Sequence, residues 1–277
     1  LREPERERER EKKYRERREM AGMMYIDMSR ITSNRAGFYA TNNQFQKSGP
    51  KGFMEVKALE NGDLYVRVDL PGVPDNAIRH RVDAVRQKVV FFSGETLSDG
   101  NYVNDGVREY SGTTGLGCDC CEITGVDAKM KDGVLRMIVS RVKVKDHENK
   151  CTLTVPPYTG KSGRRVEDHP FVVRGRKGAF VGESIADGGL FLAVDMPGVS
   201  NGDDVEILAN EFEVRFKAEI KNVGEHDESG RLYLGSVDAS DSSSTPDILS
   251  HSITAAVNFG ILKILIKPRP NTNTNKE

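Results

Sequence analysis

Apolar and polar residues alternate with a period of two in two separate parts of the chain. Leu64, Val66 and Val68 alternate with Tyr65, Arg67 and Asp69, and Leu190, Leu192 and Val194 repeat the arrangement further on. That period is the mark of a β-strand with one buried face. Shorter apolar runs follow in the same order in both parts: 78–82 and 89–92 in the first, then 205–207 with Phe212, Val214 and Phe216 in the second. Each part closes on a Gly-Val-Leu or Gly-Ile-Leu strand, predicted over 134–139 and 261–266. Turn pairs such as Asn61-Gly62, Asp99-Gly100, Asp132-Gly133 and Asp187-Gly188 separate the runs, and no long amphipathic helix interrupts them. The pattern predicts an all-β fold built from sandwiches.

The two parts are copies of one another. Residues 51–73 align without a gap on 177–199, at a constant offset of 126, and both end in a Pro-Gly-Val: Asp69-Leu70-Pro71-Gly72-Val73 and Asp195-Met196-Pro197-Gly198-Val199. A second matching stretch runs from Ala128 to Leu135 and from Ala255 to Leu262. Copies of about 100 residues are large enough to fold separately. The expected organisation is therefore a charged N-terminal arm (1–50), a first sandwich (51–144), a linker (145–177), a second sandwich (178–268) and a disordered tail (269–277). The arm opens with interleaved Glu and Arg over 1–19, which reads as solvated helix or disordered chain. The stretch SDSSSTP at 240–246 is too polar and turn-prone for a strand and is expected to form a loop.

Composition narrows the chemistry. Of 277 residues, 37% are hydrophobic and 30% charged, with a net charge of −1, so no bulk electrostatic pull toward nucleic acid or membrane is expected. No apolar run reaches the roughly 20 residues that span a bilayer, and the charged start has no apolar stretch of the kind a secretory signal needs. Four cysteines occur, and three of them crowd into Cys118-Asp119-Cys120-Cys121. Such spacing does not suit a disulfide framework, so a reducing compartment, cytoplasmic or nuclear, is expected. Thiolates bind zinc, but no second ligand pair completes a site, and neither a metal nor a cofactor is expected. Gly160-Lys161-Ser162 imitates the end of a phosphate-binding loop, yet Val155 stands where the leading glycine belongs. With no nucleophile or metalloprotease motif either, an enzyme is not expected.

A strand ending in Asp-Leu-Pro-Gly-Val, a Phe92-Ser93-Gly94-Glu95 stretch about 20 residues on, and Ala128-x-x-x-Asp132-Gly133-Val134-Leu135 near the end together resemble the α-crystallin domain of plant small heat shock proteins. The second copy matches over 194–198 and 255–262, with Lys217-Ala218-Glu219 in place of Ser-Gly-Glu. The resemblance implies two tandem immunoglobulin-like β-sandwiches and ATP-independent holding of unfolding proteins, with self-association into larger assemblies. It places partner-binding grooves at the fourth and eighth strands of each sandwich, here Ile78, Val82, Ala128 and Met130 in the first copy and Val205, Ile207, Ile253 and Val257 in the second. The family's C-terminal docking motif is missing; the nearest match is Leu153-Thr154-Val155, after the first copy. The arginine usual on the family's late strand is also not found. A second function class remains open: a non-catalytic scaffold that uses tandem sandwiches to hold one specific protein partner. Neither class implies nucleic acid or a membrane.

Overall fold

The computed structural model describes residues 24–27, 37–38, 43–50, 52–97, 106–146, 152–155, 168–185, 189–200, 205–210, 213–220, 224–227, 229–238 and 251–268. The Glu-Arg segment, the loop at 240–246, Gly160 to Ser162 and the C-terminal tail lie outside them. Among the described residues there is no helix. The strands are β1 (Met24–Asp27), β2 (Gly37–Phe38), β3 (Gln46–Ser48), β4 (Met54–Ala58), β5 (Leu64–Asp69), β6 (Arg79–Val82), β7 (Val89–Glu95), β8 (Glu109–Leu116), β9 (Cys121–Lys131) and β10 (Val134–Lys143). They continue with β11 (Thr152–Val155), β12 (Val172–Arg174), β13 (Phe180–Ile185), β14 (Gly189–Asp195), β15 (Val205–Ala209), β16 (Glu213–Glu219), β17 (Leu232–Asp238), β18 (His251–Asn258) and β19 (Ile261–Pro268).

They form four antiparallel sheets that make two sandwiches. The first unit faces the sheet β2-β4-β5-β10-β9 against β1-β11-β8-β7-β6, and the second faces β13-β14-β19-β18 against β15-β16-β17-β3. Leu64, Val66 and Val68 point into the first core with Val90, Phe92, Leu135 and Met137. Leu192 and Val194 do the same in the second with Val214, Phe216, Leu262 and Ile264. The two cores are what the period-two alternation demands.

Strands β3 and β12 do not stay with the copy that follows them in sequence. β3 lies just ahead of the first copy but pairs with β17 of the second, Ser48 opposite Leu232 and Gln46 opposite Tyr233. Phe45 beside it enters the second core, its ring 5.1 Å from that of Phe216. β12 lies just ahead of the second copy and pairs with β8 of the first, Val172 opposite Tyr110, while Phe171 enters the first core 5.3 Å from Phe92. Each copy thus completes the sandwich of the other. An apolar anchor and a short run of ladder hydrogen bonds fasten each exchanged strand.

The two repeat signatures meet where the units join. Asp132-Gly133 and Phe259-Gly260 are two-residue hairpin turns with all four φ values positive, 50° and 74° in the first, 50° and 72° in the second, a geometry that glycine permits without strain. A Cβ at Gly133 would stand 2.5 Å from the Phe259 carbonyl oxygen, and one at Gly260 would stand 2.5 Å from that of Asp132. Those same carbonyls accept hydrogen bonds from the Pro-Gly loops of the two copies: Gly72 N–H to Phe259 O and Gly198 N–H to Asp132 O, both 2.7 Å. Glycine is needed at both turns because backbone from the other unit occupies the space of a side chain.

Candidate partner-binding edges and the junction between the repeats

The open edge of each sandwich carries the aliphatic side chains singled out in the sequence. In the first unit the terminal strands of the two sheets, β6 and β9, touch across that edge. Ile78, Val82 and Ala128 are half-buried against the core and Met130 is buried in it. In the second unit the terminal strands are β15 and β18, with Val205, Ile207 and Ile253 half-buried and Val257 buried. Alternation sets what surrounds them. Arg79 and Arg81 are exposed on β6, with the Arg81 guanidinium 4.2 Å from the centre of the Phe91 ring, whereas β15 exposes Glu206 and Leu208. Leu153 sits on β11, opposite Leu116, and is fully buried in the first core. Val155 is the last residue of the same strand, opposite Met24.

Between the units lies a set of buried charges. Asp69 of the first Pro-Gly strand receives both terminal nitrogens of Arg231 from the second copy, at 2.8 and 2.9 Å. Asp195, its counterpart, receives both from Arg108 of the first copy, at 2.9 and 3.0 Å. Arg176 adds a third donor to Asp195 at 3.0 Å, and Arg67 approaches Asp69 with its Nε at 3.8 Å while pairing with Glu55 at 2.9 Å. Burial alone would push the Asp195 carboxyl up, but Arg108 and Arg176 outweigh it and hold the group below the ordinary carboxylate range. Burial also opposes the charge on Arg231, and Asp69 more than restores it, raising the group above its usual value. Tyr110 and Tyr233, two residues beyond each arginine, donate their hydroxyls to Pro71 O at 2.8 Å and Pro197 O at 3.0 Å. Burial drives the Tyr233 hydroxyl up to about 12.

A buried charge without a partner costs several kcal/mol, so these pairs fix one register between the units. Arg136 and Tyr65 on the outer face of the first sheet extend the set. Both reach Asp227 of the second copy, Arg136 through Nη2 at 2.7 Å. A cleft of about 310 Å³ runs beside them, bordered by Lys129, Lys131, Arg136, Asp227 and Arg231.

Two more residues close the junction at equivalent places. Asn43 donates its Nδ2 to Asp195 O and accepts the Phe45 N–H on Oδ1 at 3.1 Å. His169, at the matching position, lies 2.7 Å from Asp69 O through Nε2 and accepts the Phe171 N–H on Nδ1 at 3.3 Å. Acceptance at Nδ1 leaves the proton on Nε2, which donates to Asp69 O. The imidazole is packed against Phe53 at 4.2 Å between ring centres, and burial followed by the Arg108 charge drives its pKa down to about 4.

The junction arginines, Arg108 and Arg231, were the hardest residues to see in the sequence, and a signal for them existed. Arg108-x-Tyr110-x-Gly112 and Arg231-x-Tyr233-x-Gly235 form a third matching pair, at an offset of 123. Each arginine stands just ahead of a strand, β8 in the first copy and β17 in the second. The exchanged strands have a signal too: Phe45 and Gly49 fall at the 126-residue offset from Phe171 and Gly175.

Two antiparallel sandwiches with paired Pro-Gly loops, open aliphatic edges and no helix among the described residues define the class: tandem α-crystallin-like domains. The family model described as predicted plant small heat shock protein matches residues 25–269, and the chain belongs to that family. It is similar to a putative 57 kDa heat shock protein of Arabidopsis thaliana, 41% identical over 111 residues that make up 40% of this chain and 20% of that protein. It is also similar to a 14.7 kDa heat shock protein of the same plant, 32% identical over 104 residues, 38% of this chain and 76% of that one. The chain therefore spans about a fifth of the length of the first of these relatives. No helix among the described residues is long and apolar enough to cross a membrane.

Proposed function

We propose that the chain is an ATP-independent holding chaperone that captures apolar segments of unfolding proteins along the open edges of its two sandwiches. What supports this reading is the row of half-buried aliphatic side chains on strands whose outer backbone groups have no ladder partner among the described residues: β6 and β9 in one unit, β15 and β18 in the other. An unpaired edge accepts an extended segment by main-chain hydrogen bonding, and the adjoining side chains gain about 25 cal/mol per Å² of apolar surface they cover. Ile78, Val82, Ala128 and Met130 serve the first edge, and Val205, Ile207, Ile253 and Val257 the second. Leu153 is committed to the first core, so self-association through the Leu153–Val155 segment would require β11 to leave its sheet. The site of action is the cytoplasm, a reducing compartment that suits a chain in which Cys118, Cys120 and Cys121 form no disulfide at rest.

The test is light scattering from heated citrate synthase with and without the full chain. Wild-type protein should suppress scattering, and Val82→Asp and Ile207→Asp should each weaken suppression several-fold with circular dichroism unchanged. Unchanged scattering in the presence of wild-type protein would refute the chaperone reading. Variants as active as wild type would refute the placing of the site at these edges.

A further inference from the structure

Cys118, Cys120 and Cys121, three of the chain's four cysteines, meet at the turn that joins β8 to β9. None of the three is in a disulfide, and they are between 1% and 6% exposed. The Cys120 S–H donates to the Cys118 sulfur at 3.0 Å, and the Cys120 and Cys121 sulfurs lie 3.7 Å apart. Positive charge borders the group: Arg141 Nη1 donates to the Cys121 sulfur at 3.9 Å, and the Lys88 ammonium donates to the Cys121 carbonyl oxygen. The backbone around them is held from several sides, with Gly117 N–H on Thr152 O at 2.7 Å and Val144 N–H on Cys120 O at 2.8 Å. The second repeat contains no cysteine, so the sandwich scaffold does not require the cluster.

We propose that Cys118 and Cys120 are a reversible disulfide site, with a hydroperoxide as oxidant, placed where β11 is seated on the first unit. A disulfide needs about 2.05 Å between sulfurs, so this pair has only about 1 Å to close from 3.0 Å. Cys120 and Cys121 are adjacent, and neighbouring Cα atoms at about 3.8 Å fall below the 4.4–6.8 Å usual for a disulfide. The sulfur of Cys118, which accepts the Cys120 S–H, attacks one oxygen of hydrogen peroxide. The O–O bond breaks, hydroxide leaves and is protonated to water, and Cys118 becomes a sulfenic acid. The Cys120 sulfur then displaces that hydroxyl, the S–S bond forms, and a second water leaves. Two thiols lose two electrons and two protons, and one peroxide becomes two waters. A dithiol reductant reverses the bond by exchange.

The experiment treats the full chain with hydrogen peroxide, alkylates it under denaturing conditions and maps the tryptic peptide 109–129, which holds all three thiols but not Cys151. That peptide should carry one label in place of three and be lighter by about 2 Da before alkylation, with all three labels regained after dithiothreitol. Cys118→Ser and Cys120→Ser should each abolish the change and Cys121→Ser should preserve it, which also reports that a serine at this turn leaves the chain folded. Three labels after peroxide, labels lost only to sulfinic or sulfonic acid, a cross-link to the Cys151 peptide, or loss of the effect in Cys121→Ser would each overturn the assignment.

Discussion

Replacing His169 by Asn should remove a pH dependence from the stability of the whole chain while keeping the contact that His169 makes. The molecule supplies the precedent, because Asn43 makes the equivalent pair of hydrogen bonds, Nδ2 to Asp195 O and Oδ1 from Phe45 N–H. His169 is neutral when folded, with a pKa pushed from 6.5 to about 4 by burial and by Arg108. Between those values the unfolded chain takes up a proton that the folded chain refuses, so stability is full above pH 6.5 and falls as the pH drops toward 4. At about 1.36 kcal/mol per pKa unit, the loss over that window is about 3 kcal/mol. Urea unfolding followed by circular dichroism at half-unit steps from pH 7.5 to 4.5 would read it. Other groups at the junction, Asp195 and Asp227 among them, have pKa values held below the ordinary carboxylate range by their arginine partners, which both proteins keep, so the difference between the two curves reports chiefly the histidine. The converse variant, Asn43→His, should steepen the acid limb. Parallel curves for wild type and His169→Asn would refute the reasoning.

Three further outcomes follow from the junction. Arg231→Met should destabilise the chain by about 3–5 kcal/mol, as loss of one partner of a buried pair does, and Arg108→Met by less, because Asp195 keeps Arg176 at 3.0 Å; equal midpoints of chemical unfolding would contradict this order. Phe171→Ala should cost about 3–5 kcal/mol and should loosen the first unit, whose core it fills from outside that unit, as hydrogen exchange of β7 and β8 would show; slowed or unchanged exchange there would count against the strand exchange. Gly133→Val places a branched side chain at a φ of 74° and its Cβ 2.5 Å from Phe259 O. The melting temperature should therefore fall, and an unaltered melting curve would show that the two turns do not abut.

The cores were legible because burial on one face leaves a period of two, and Leu64, Val66 and Val68 show it plainly. What the same strand does with its other face was not. Tyr65, Arg67 and Asp69 read as solvent-facing, yet every residue of β5 is buried, because Asp227 and Arg231 of the second copy cover that face. Alternation reports that a face is polar and says nothing of whether another domain's charges will meet it. Phe45 was hidden for a related reason: a lone aromatic in a polar stretch carries no period, and its neighbours in space, Phe180 and Phe216, are more than 130 residues away. The candidate edge residues were named from family resemblance, because alternation alone does not say which face of a strand is covered. Six of them are half-buried against their own cores, and Met130 and Val257 are buried within them, contacts that a one-dimensional pattern cannot separate from exposure to a partner.

The exchange of β3 and β12 bears on how the chain is made. β3 leaves the ribosome ahead of both copies, but β17, on which it pairs, lies about 190 residues downstream. At 5–20 residues per second that is a wait of roughly 10–40 s. Over that interval Phe45 has no core to enter, and for about the first two thirds of it the first unit lacks the β12 strand that completes it, since β12 is translated only after the rest of that unit. The nascent chain is itself, for a time, an unfinished sheet with an apolar edge. In a protein whose relatives are named for heat shock, the first unit is therefore complete only once translation has run on through the linker to β12, and β3 keeps an unpaired edge until β17 follows.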